Sequence, residues 1–257
     1  MTVIVSPPHL TSQARRDWDT LQETTGRAPR FDPGQADHLP EAARRWVLRA
    51  IAPGTPLRRS VVLRSRGEIK LGTWRRFHAT QALEPMEGFV WAATAWVGLL
   101  PVHGFDRYHD GVGEMRWRVL DALPVMSGSG PDITRSAAGR LAGEFVLAPA
   151  AALDPRVRWK HVDADEAVAS LPVGDEDVDV RLTVAGDGRL AAVTVCRWGD
   201  PDGAGYRHLP FGVLCGREGV FDGFTVPVAL RGGWWPGTQR WAEGEFIRFT
   251  IEDAVYR

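Results

Sequence analysis

The 257-residue sequence has few cysteines, no metal-binding histidine pattern and almost no net charge, and each shortage argues against a class of protein. Cys196 and Cys215, its two cysteines, could pair across neighbouring strands, but they lack the CxxC spacing of a redox or zinc site, so reduced thiols are favoured. The seven histidines form neither an HExxH nor an HxH motif, so we expect no metal. A formal net charge of −1 provides no field to attract nucleic acid, which we do not expect as a partner.

Long apolar runs are absent too. No run reaches the length of a membrane-spanning helix, and the longest candidate, residues 88–102, is interrupted by glycine and proline. Residues 1–10 lack the basic region and the long apolar region of a secretory signal. We therefore expect no stable membrane insertion and a cytoplasmic location.

Catalytic signatures are missing as well. The sequence contains no G-x-S-x-G nucleophile elbow, no G-x-G-x-x-G motif opening a βαβ unit and no cysteine–histidine nucleophile motif. The glycine-rich residues 232–238 lack the GK[ST] end of a phosphate-binding loop. The sequence therefore indicates no cofactor, and it assigns no reaction.

The sequence does contain many aromatic residues on strand-like patterns, with 11 tryptophans and 10 phenylalanines. Apolar and polar residues alternate over residues 57–71 and 114–120, which is typical of strands with one solvated face. Residues 89–96 are apolar on both faces, so this strand is predicted to be covered on both sides. Turn signals separate the strands into two antiparallel meanders, over residues 57–120 and 157–254. They predict one large curved sheet, a half-barrel with an apolar hollow.

Helical patterns occur in two regions. One helix is predicted to begin at Thr11 or Ser12 and a second near Pro40, and the apolar stripe of the second is expected to pack on the sheet. A third helix, over residues 131–146, is opened by a Gly-Pro-Asp sequence and is expected to cover the hollow as a lid. The predicted fold class is therefore α+β, mainly β. It consists of an N-terminal helical segment, residues 1–55, and a single half-barrel domain, residues 56–257.

Two pairs of residues are candidates for acid–base catalysis. Asp106 and Tyr108 fall on one face of a predicted strand, where an apolar setting would raise the pKa of the carboxyl group. The alternative is an ion-paired strand end that leads into a turn. Glu243 and Glu245 share the parity of Ile247 and are expected to point inward. Inward carboxylates near a strand end are either functional or paired with arginine, and nearby arginines favour pairing.

Arginine and aromatic residues are the candidates for ligand binding. Arg135 and Arg140 lie on the mid-chain helix, where an arginine could hold a carboxylate or phosphate head group; the alternative is a solvated helix face. Further candidates are the aromatic residues and the methionine expected to line the hollow: Phe89, Trp91, Met115, Trp117, Trp234 and Trp241.

A set of sequence runs resembles a known family. The runs are FDP, LPEAARRWVLRAIAPGTPL, RGEIKLG, GFDRYHDGVGEMRWR, GPDITRSAAGRLAGEFV, RWGDPDG, PFG and GWWPGTQRWAEGEFIRFTI. From residue 31 onward they resemble a bacterial family of unknown function, of the DUF6544 or DUF6920 type, which implies no activity. The meander–helix–meander order is also similar to the lipoprotein-carrier (LolA/LolB-like) half-barrel. That second resemblance implies a fold that shelters acyl chains, and it is an analogy of fold alone.

Three hypotheses follow for the hollow. The first is binding of an elongated apolar small molecule or lipid-like ligand, with the helix as a lid. The second is a cyclase, isomerase or hydrolase of a biosynthetic pathway that acts without metal or cofactor on a polyketide- or terpene-like substrate. The third, a structural or partner-binding β protein, leaves the aromatic residues unexplained. The absence of a catalytic motif favours binding of a hydrophobic small molecule.

Overall fold

One antiparallel sheet of 13 strands curls into a half-barrel in the computed structural model, which describes residues 7, 9–23, 26–120 and 122–257. Within these residues the chain is mainly β and has four α-helices. The α+β half-barrel predicted from the alternation of apolar and polar residues is confirmed. The curvature places one face of the sheet around the main apolar core.

Six strands form the first meander, and each pairs with the next. They are β1 (Val61–Leu71), β2 (Thr73–Glu84), β3 (Gly88–Val97), β4 (Leu100–His109), β5 (Val112–Val119) and β6 (Leu123–Ser129). The sequence predicted the first five of these strands. It missed β6 because most side chains of this edge strand are exposed, so apolar residues do not alternate with polar ones along it.

Seven strands form the second meander. They are β7 (Arg158–His161), β8 (Glu166–Val173), β9 (Glu176–Val184), β10 (Leu190–Gly199), β11 (Arg207–Cys215), β14 (Ala229–Trp234) and β15 (Glu245–Tyr256). β15 pairs with β1 and so joins the two meanders into one sheet. β12 (Glu218–Phe221) and β13 (Phe224–Pro227) form a separate hairpin. The predicted continuous strands over residues 208–221 and 224–232 are therefore interrupted, because this hairpin leaves the sheet.

Two N-terminal helices cover opposite faces of the sheet. α1 (Ser12–Thr20) buries Trp18 in an apolar cluster with Val90 of β3. α2 (Glu41–Ala50) joins the main core, which contains Trp91, and packs against β8, β9 and β13. Val90 and Trp91 are adjacent on β3, so their side chains point to opposite faces. This arrangement explains why the third strand is apolar on both sides.

The mid-chain helix lies across the sheet. α3 (Pro131–Glu144) packs on β5 and β10, and 3₁₀ turns follow it at Phe145–Leu147 and Pro149–Leu153. The predicted end at residue 146 falls in the first of these turns. Gly139 lets the helix approach β10 closely, because a Cβ atom at this position would lie 3.1 Å from Cγ of Arg197.

Two further predictions concern the cellular location of the protein and the division of the chain into an N-terminal segment and a half-barrel domain. No helix among the described residues is long and apolar enough to cross a bilayer. The expected cytoplasmic location stays a prediction, as does the division of the chain into residues 1–55 and residues 56–257.

Candidate functional site

A cavity of about 190 Å³ lies beneath α3, on the face of the sheet opposite to α1. Its walls come from both meanders, since β1, β2, β3 and β4 contribute residues together with β10, β11, β14 and β15. Most of the lining is apolar and includes Leu63, Phe77, Val193, Phe211, Ile247 and Ile251. Gly139, Gly143 and Gly232 also line the cavity and place no side chain in it. The hollow predicted from the strand patterns therefore contains a void.

A polar cluster joins α3 to β2 and β4 at the cavity wall. Arg140 donates from Nη1 to Oδ2 of Asp106 at 3.0 Å and from Nε to Oε1 of Glu144 at 2.7 Å. Gln81 donates to the other oxygen of Glu144. The guanidinium of Arg140 therefore bridges a carboxylate on the sheet and a carboxylate on its own helix. The cluster fixes the position of α3 over the cavity.

Asp106 is the carboxyl group that the sequence placed in the hollow, and it does line the cavity. Burial, the largest cause, raises its pKa, and the neighbouring guanidinium of Arg140 opposes this shift. The Oδ1 atom of Asp106 is buried and has no partner of good hydrogen-bond geometry among the described residues. The indole N–H of Trp117 is close enough to lower the pKa of this carboxyl group as well. Asp106 is thus a buried carboxyl group with a raised pKa at an apolar cavity.

Arg197 on β10 also lines the cavity, and the sequence analysis did not single it out. Nε donates to the backbone oxygen of Ser136 at 3.0 Å, and the guanidinium lies 4.8 Å from the ring centroid of Phe211. Burial, followed by the charge of Arg140, lowers the pKa of Arg197 to about 10. The alternation along β10 is the signal that could have found it, because Arg197 has the parity of Val193 and Val195, which both line the cavity.

The predicted aromatic residues of the first meander form two layers. Trp91 lines the cavity. Phe89 lies under the guanidinium of Arg140, 4.4 Å from its carbon, and Trp117 packs on Trp91 with ring centroids 5.8 Å apart. Met115 is half-buried against the same core. Phe89, Trp117 and Met115 therefore lie behind the wall of the cavity and support the residues that form it. Their predicted contact with a ligand stays untested.

The predicted residues near the C-terminus lie beside the cavity. Trp234 packs edge-on against Phe211, with ring centroids 5.3 Å apart, and lies behind that residue of the wall. Trp241 begins α4 (Trp241–Gly244), a single helical turn that the sequence did not predict. The residues that line the cavity do not include Trp241.

Arg135 and Tyr108 do not share the cavity with Arg140 and Asp106. Arg135 lies on the exposed side of α3, where it pairs with Glu176 at 3.2 Å. This is the solvated helix face that the sequence left open as an alternative. Tyr108 has the same parity as Asp106 but is buried in the core, where burial raises the pKa of its hydroxyl. The structure therefore separates the expected Asp106–Tyr108 pair.

The inward orientation expected of Glu243 and Glu245 is wrong. The register of β14 and β15 shifts between Gly232 and Gly233, so Phe246 has no partner on β14 and lines the cavity instead. This bulge reverses the alternation and turns Glu245 away from the cavity. Glu243 is in α4, where strand parity does not apply.

Both of these carboxylates are paired with arginine, as the alternative interpretation expected. Glu245 accepts from Arg231 at 2.7 and 2.9 Å, and these hydrogen bonds are the largest cause of its lowered pKa. Glu243 is exposed and accepts from Arg240 at 3.2 Å. A catalytic role of either glutamate at the cavity has no support in this geometry.

The two thiols differ in accessibility, which leads to a testable prediction. Both are free, but Cys196 is exposed whereas Cys215 lines the cavity, where burial raises the pKa of its thiol to about 12. Because the thiolate is the nucleophile, we expect iodoacetamide at mildly alkaline pH to modify Cys196 and to spare Cys215 in the folded protein. Peptide mass spectrometry measures both reactions, with Cys196→Ser as the control. Equal rates at the two thiols would contradict the buried position of Cys215.

A metal centre has no support in the described part of the chain. It contains no group of three or more histidine, cysteine, aspartate or glutamate residues placed to hold an ion. The charged residues at the cavity are Arg140, which bonds to Asp106 and Glu144, and Arg197, which bonds to a backbone oxygen.

The chain is similar in fold to several solved structures. A domain assigned as an outer membrane lipoprotein-sorting protein from Vibrio parahaemolyticus has a TM-score of 0.39 and 10% identity, over 77% of this chain and 85% of that chain. A DUF1329 family protein from Desulfovibrio piger has a TM-score of 0.44 and 12% identity, over 88% and 94%. A LolA superfamily protein from Nitrosomonas europaea has a TM-score of 0.37 and 11% identity, over 84% and 90%. These likenesses are distant and identify no ligand.

By sequence, no curated protein matches the chain. The resemblance to the DUF6544 family, which rested on the quoted sequence runs, is nevertheless confirmed. The model of this family matches residues 29–246 and so spans most of the half-barrel and its cavity. The chain therefore belongs to the family of unknown function DUF6544.

Proposed function

We propose that this protein binds an elongated apolar small molecule, or a lipid-like ligand, in the cavity beneath α3. The cavity itself is the observation that supports the proposal. Protein interiors are close-packed, and voids larger than a water molecule are few. A void of about 190 Å³ with apolar walls has room for a guest. For comparison, an engineered apolar cavity of about 150 Å³ binds benzene.

The glycine at position 143 gives further support. Gly143 lies within α3 and lines the cavity, and a Cβ atom there would meet only Val195, at an ordinary 3.7 Å. Packing therefore does not require glycine at this position, and glycine inside a helix costs roughly 0.5–1 kcal/mol relative to alanine. A glycine at this position keeps the space beneath the helix open, which is what a ligand would need.

The experiment is a fluorescence titration with N-phenyl-1-naphthylamine, a neutral apolar probe whose emission rises when it leaves water. We expect saturable binding of one probe per chain and displacement of the probe by dodecanol. Trp91 in the cavity wall supplies a second readout, because a bound probe should quench tryptophan emission. A linear, non-saturating rise that dodecanol does not reverse would contradict the proposal.

A second candidate function rests on Asp106. Its raised pKa and its place at the cavity are what a catalyst without metal or cofactor would use, for example a cyclase, isomerase or hydrolase acting on a polyketide- or terpene-like substrate. The other predicted acid–base residues, Tyr108, Glu243 and Glu245, do not line the cavity. Binding is favoured because the two carboxyl groups that line the cavity, Asp106 and Glu144, are both held by Arg140.

The variant Asp106→Asn tests whether the charge of Asp106 takes part in binding. A catalytic role of Asp106 would appear as a loss of turnover with binding retained. The amide keeps the shape of the side chain and an acceptor for Arg140, so a binding protein should lose little affinity. We expect dodecanol to displace the probe from Asp106→Asn and from the wild type at concentrations within about threefold of each other, less than the tenfold that corresponds to about 1.4 kcal/mol. An affinity that falls more than tenfold would show that the charge of Asp106 is part of the binding site for neutral ligands.

A further inference from the structure

Arg197 has unused hydrogen-bond donors at the cavity. Nε is occupied by the backbone oxygen of Ser136, but no described residue accepts a hydrogen bond from Nη1 or Nη2. The rings of Phe211 and Trp234 lie 4.8 and 5.6 Å from its central carbon and pack against the guanidinium. Arg197 is half-buried and is one of the residues that line the cavity. An arginine fork of this kind fits the two oxygens of a carboxylate or a phosphate.

The carboxylates nearby do not neutralise this arginine directly. Asp106 and Glu144 both pair with Arg140, and Glu144 also accepts from Gln81. No carboxylate among the described residues lies within ion-pair distance of Arg197. Burial and then the charge of Arg140 lower the pKa of Arg197, whereas the more distant charges of Glu144 and Asp106 raise it. A half-buried guanidinium that forms no direct ion pair favours an anionic guest.

We propose that the ligand is an amphiphile with an acidic head group, a carboxylate or a phosphate monoester, which Arg197 binds through Nη1 and Nη2 while the apolar chain fills the cavity. The inference rests on the proposed function, since it names the head group of the same ligand. Gly139 takes part by leaving room for the side chain of Arg197 beneath α3. The other arginine of the site, Arg140, positions the helix and is already occupied by its two carboxylates.

The first test compares ligands on the wild-type protein and needs no variant. Dodecanoate, dodecyl phosphate and dodecanol share one chain and differ in the head group, and each competes with the naphthylamine probe. Because hydrogen bonds to charged groups are stronger than those between neutral groups, we expect at least one acid to bind about 10- to 100-fold more tightly than the alcohol. The acid that binds more tightly identifies the head group. Equal affinity of the alcohol and both acids would overturn the inference and leave the proposed function standing.

The second test uses Arg197→Met, which keeps an unbranched apolar side chain and removes the guanidinium with its charge. We expect the affinity for the acid to fall to that for dodecanol, and the affinity for dodecanol to stay within about twofold of the wild type. Arg135→Met is the matched control, because Arg135 also stacks on a tryptophan, Trp198 at 4.8 Å, but lies outside the cavity. This control should bind all three ligands as the wild type does.

The outcomes of the variant test are distinct. An equal loss for acid and alcohol in Arg197→Met would mean that Arg197 shapes the cavity rather than binding a head group, and it would overturn the inference. If none of the ligands displaces the probe from the wild type, the proposed function fails and the inference fails with it. Should Arg197→Met not fold, Arg197→Lys provides the same comparison, since a point charge lacks the planar fork and should bind the acid more weakly than arginine does.

Discussion

Ser65→Phe should weaken ligand binding by roughly 200-fold and leave the protein folded. Ser65 on β1 is buried and lines the cavity, and its cross-strand neighbours are Ala79 on β2 and Ile251 on β15. The small side chain of Ala79 leaves space, so a phenyl ring can extend into the void. We expect the ring to displace roughly four methylene groups of a ligand, each worth about 0.8 kcal/mol when buried. The affinity for dodecanol should then fall by about 3 kcal/mol, roughly 200-fold.

The matched control is Thr250→Phe. Thr250 lies next to Ile251 on β15 but faces the opposite side of the sheet, where it is paired with the exposed Arg66. The same ring at this position should leave binding unchanged in the naphthylamine titration. Thermal unfolding of both variants reports whether they fold, and filling a cavity is expected to maintain or raise the unfolding temperature. Wild-type affinity in a folded Ser65→Phe would place the ligand somewhere other than this cavity.

Asp17→Ala should lower the stability of the protein more than any other single change considered above. Asp17 on α1 is 2% exposed, and its Oδ2 accepts from Nη1 of Arg107 at 2.6 Å. Removing one partner of a buried ion pair leaves an unpaired charge and costs about 3–5 kcal/mol. We expect a loss near 3 kcal/mol, the lower end of this range, because Glu114 still accepts from Nε of Arg107, at 2.9 Å. Urea unfolding of the two proteins measures this difference.

The control for this prediction removes the whole pair. In the double variant Asp17→Leu with Arg107→Met, two apolar side chains replace two buried charges, and such replacements are often neutral or stabilising. We expect the double variant to regain most of the free energy of unfolding that the single variant loses. Ordinary surface changes alter the free energy of unfolding by no more than about 0.5 kcal/mol. A change this small in Asp17→Ala would mean that the ion pair does not hold α1 to the sheet.

The fold could be predicted from the sequence because strand burial leaves a period that is visible in the residues. β1 alternates because one of its faces is solvated, and β3 is apolar on both faces because α1 covers Val90 while the core covers Trp91. β6 leaves no such signal, since most of its side chains are exposed. Periodicity therefore predicts elements that bury a face and misses elements that do not.

The candidate site was harder to predict than the sheet. Parity placed Asp106 correctly, because β4 pairs regularly with β3 and β5 up to that residue. It misplaced Glu245, because the bulge at Phe246 depends on the pairing of β14 with β15, which a single sequence does not show. Arg197 was missed although its parity was available, since nothing in the local sequence marks it as unpaired. Whether an arginine has a partner depends on distant parts of the chain.

The most direct test of the central claim, that the cavity accepts an apolar guest, is titration calorimetry of the wild-type protein with dodecanol at several temperatures. A neutral ligand isolates the cavity from the charge of Arg197. We expect saturation at one ligand per chain and a binding enthalpy that becomes more negative on heating, because burial of apolar surface gives a negative heat-capacity change. The absence of saturable heat at every temperature, or a heat-capacity change near zero, would contradict the account.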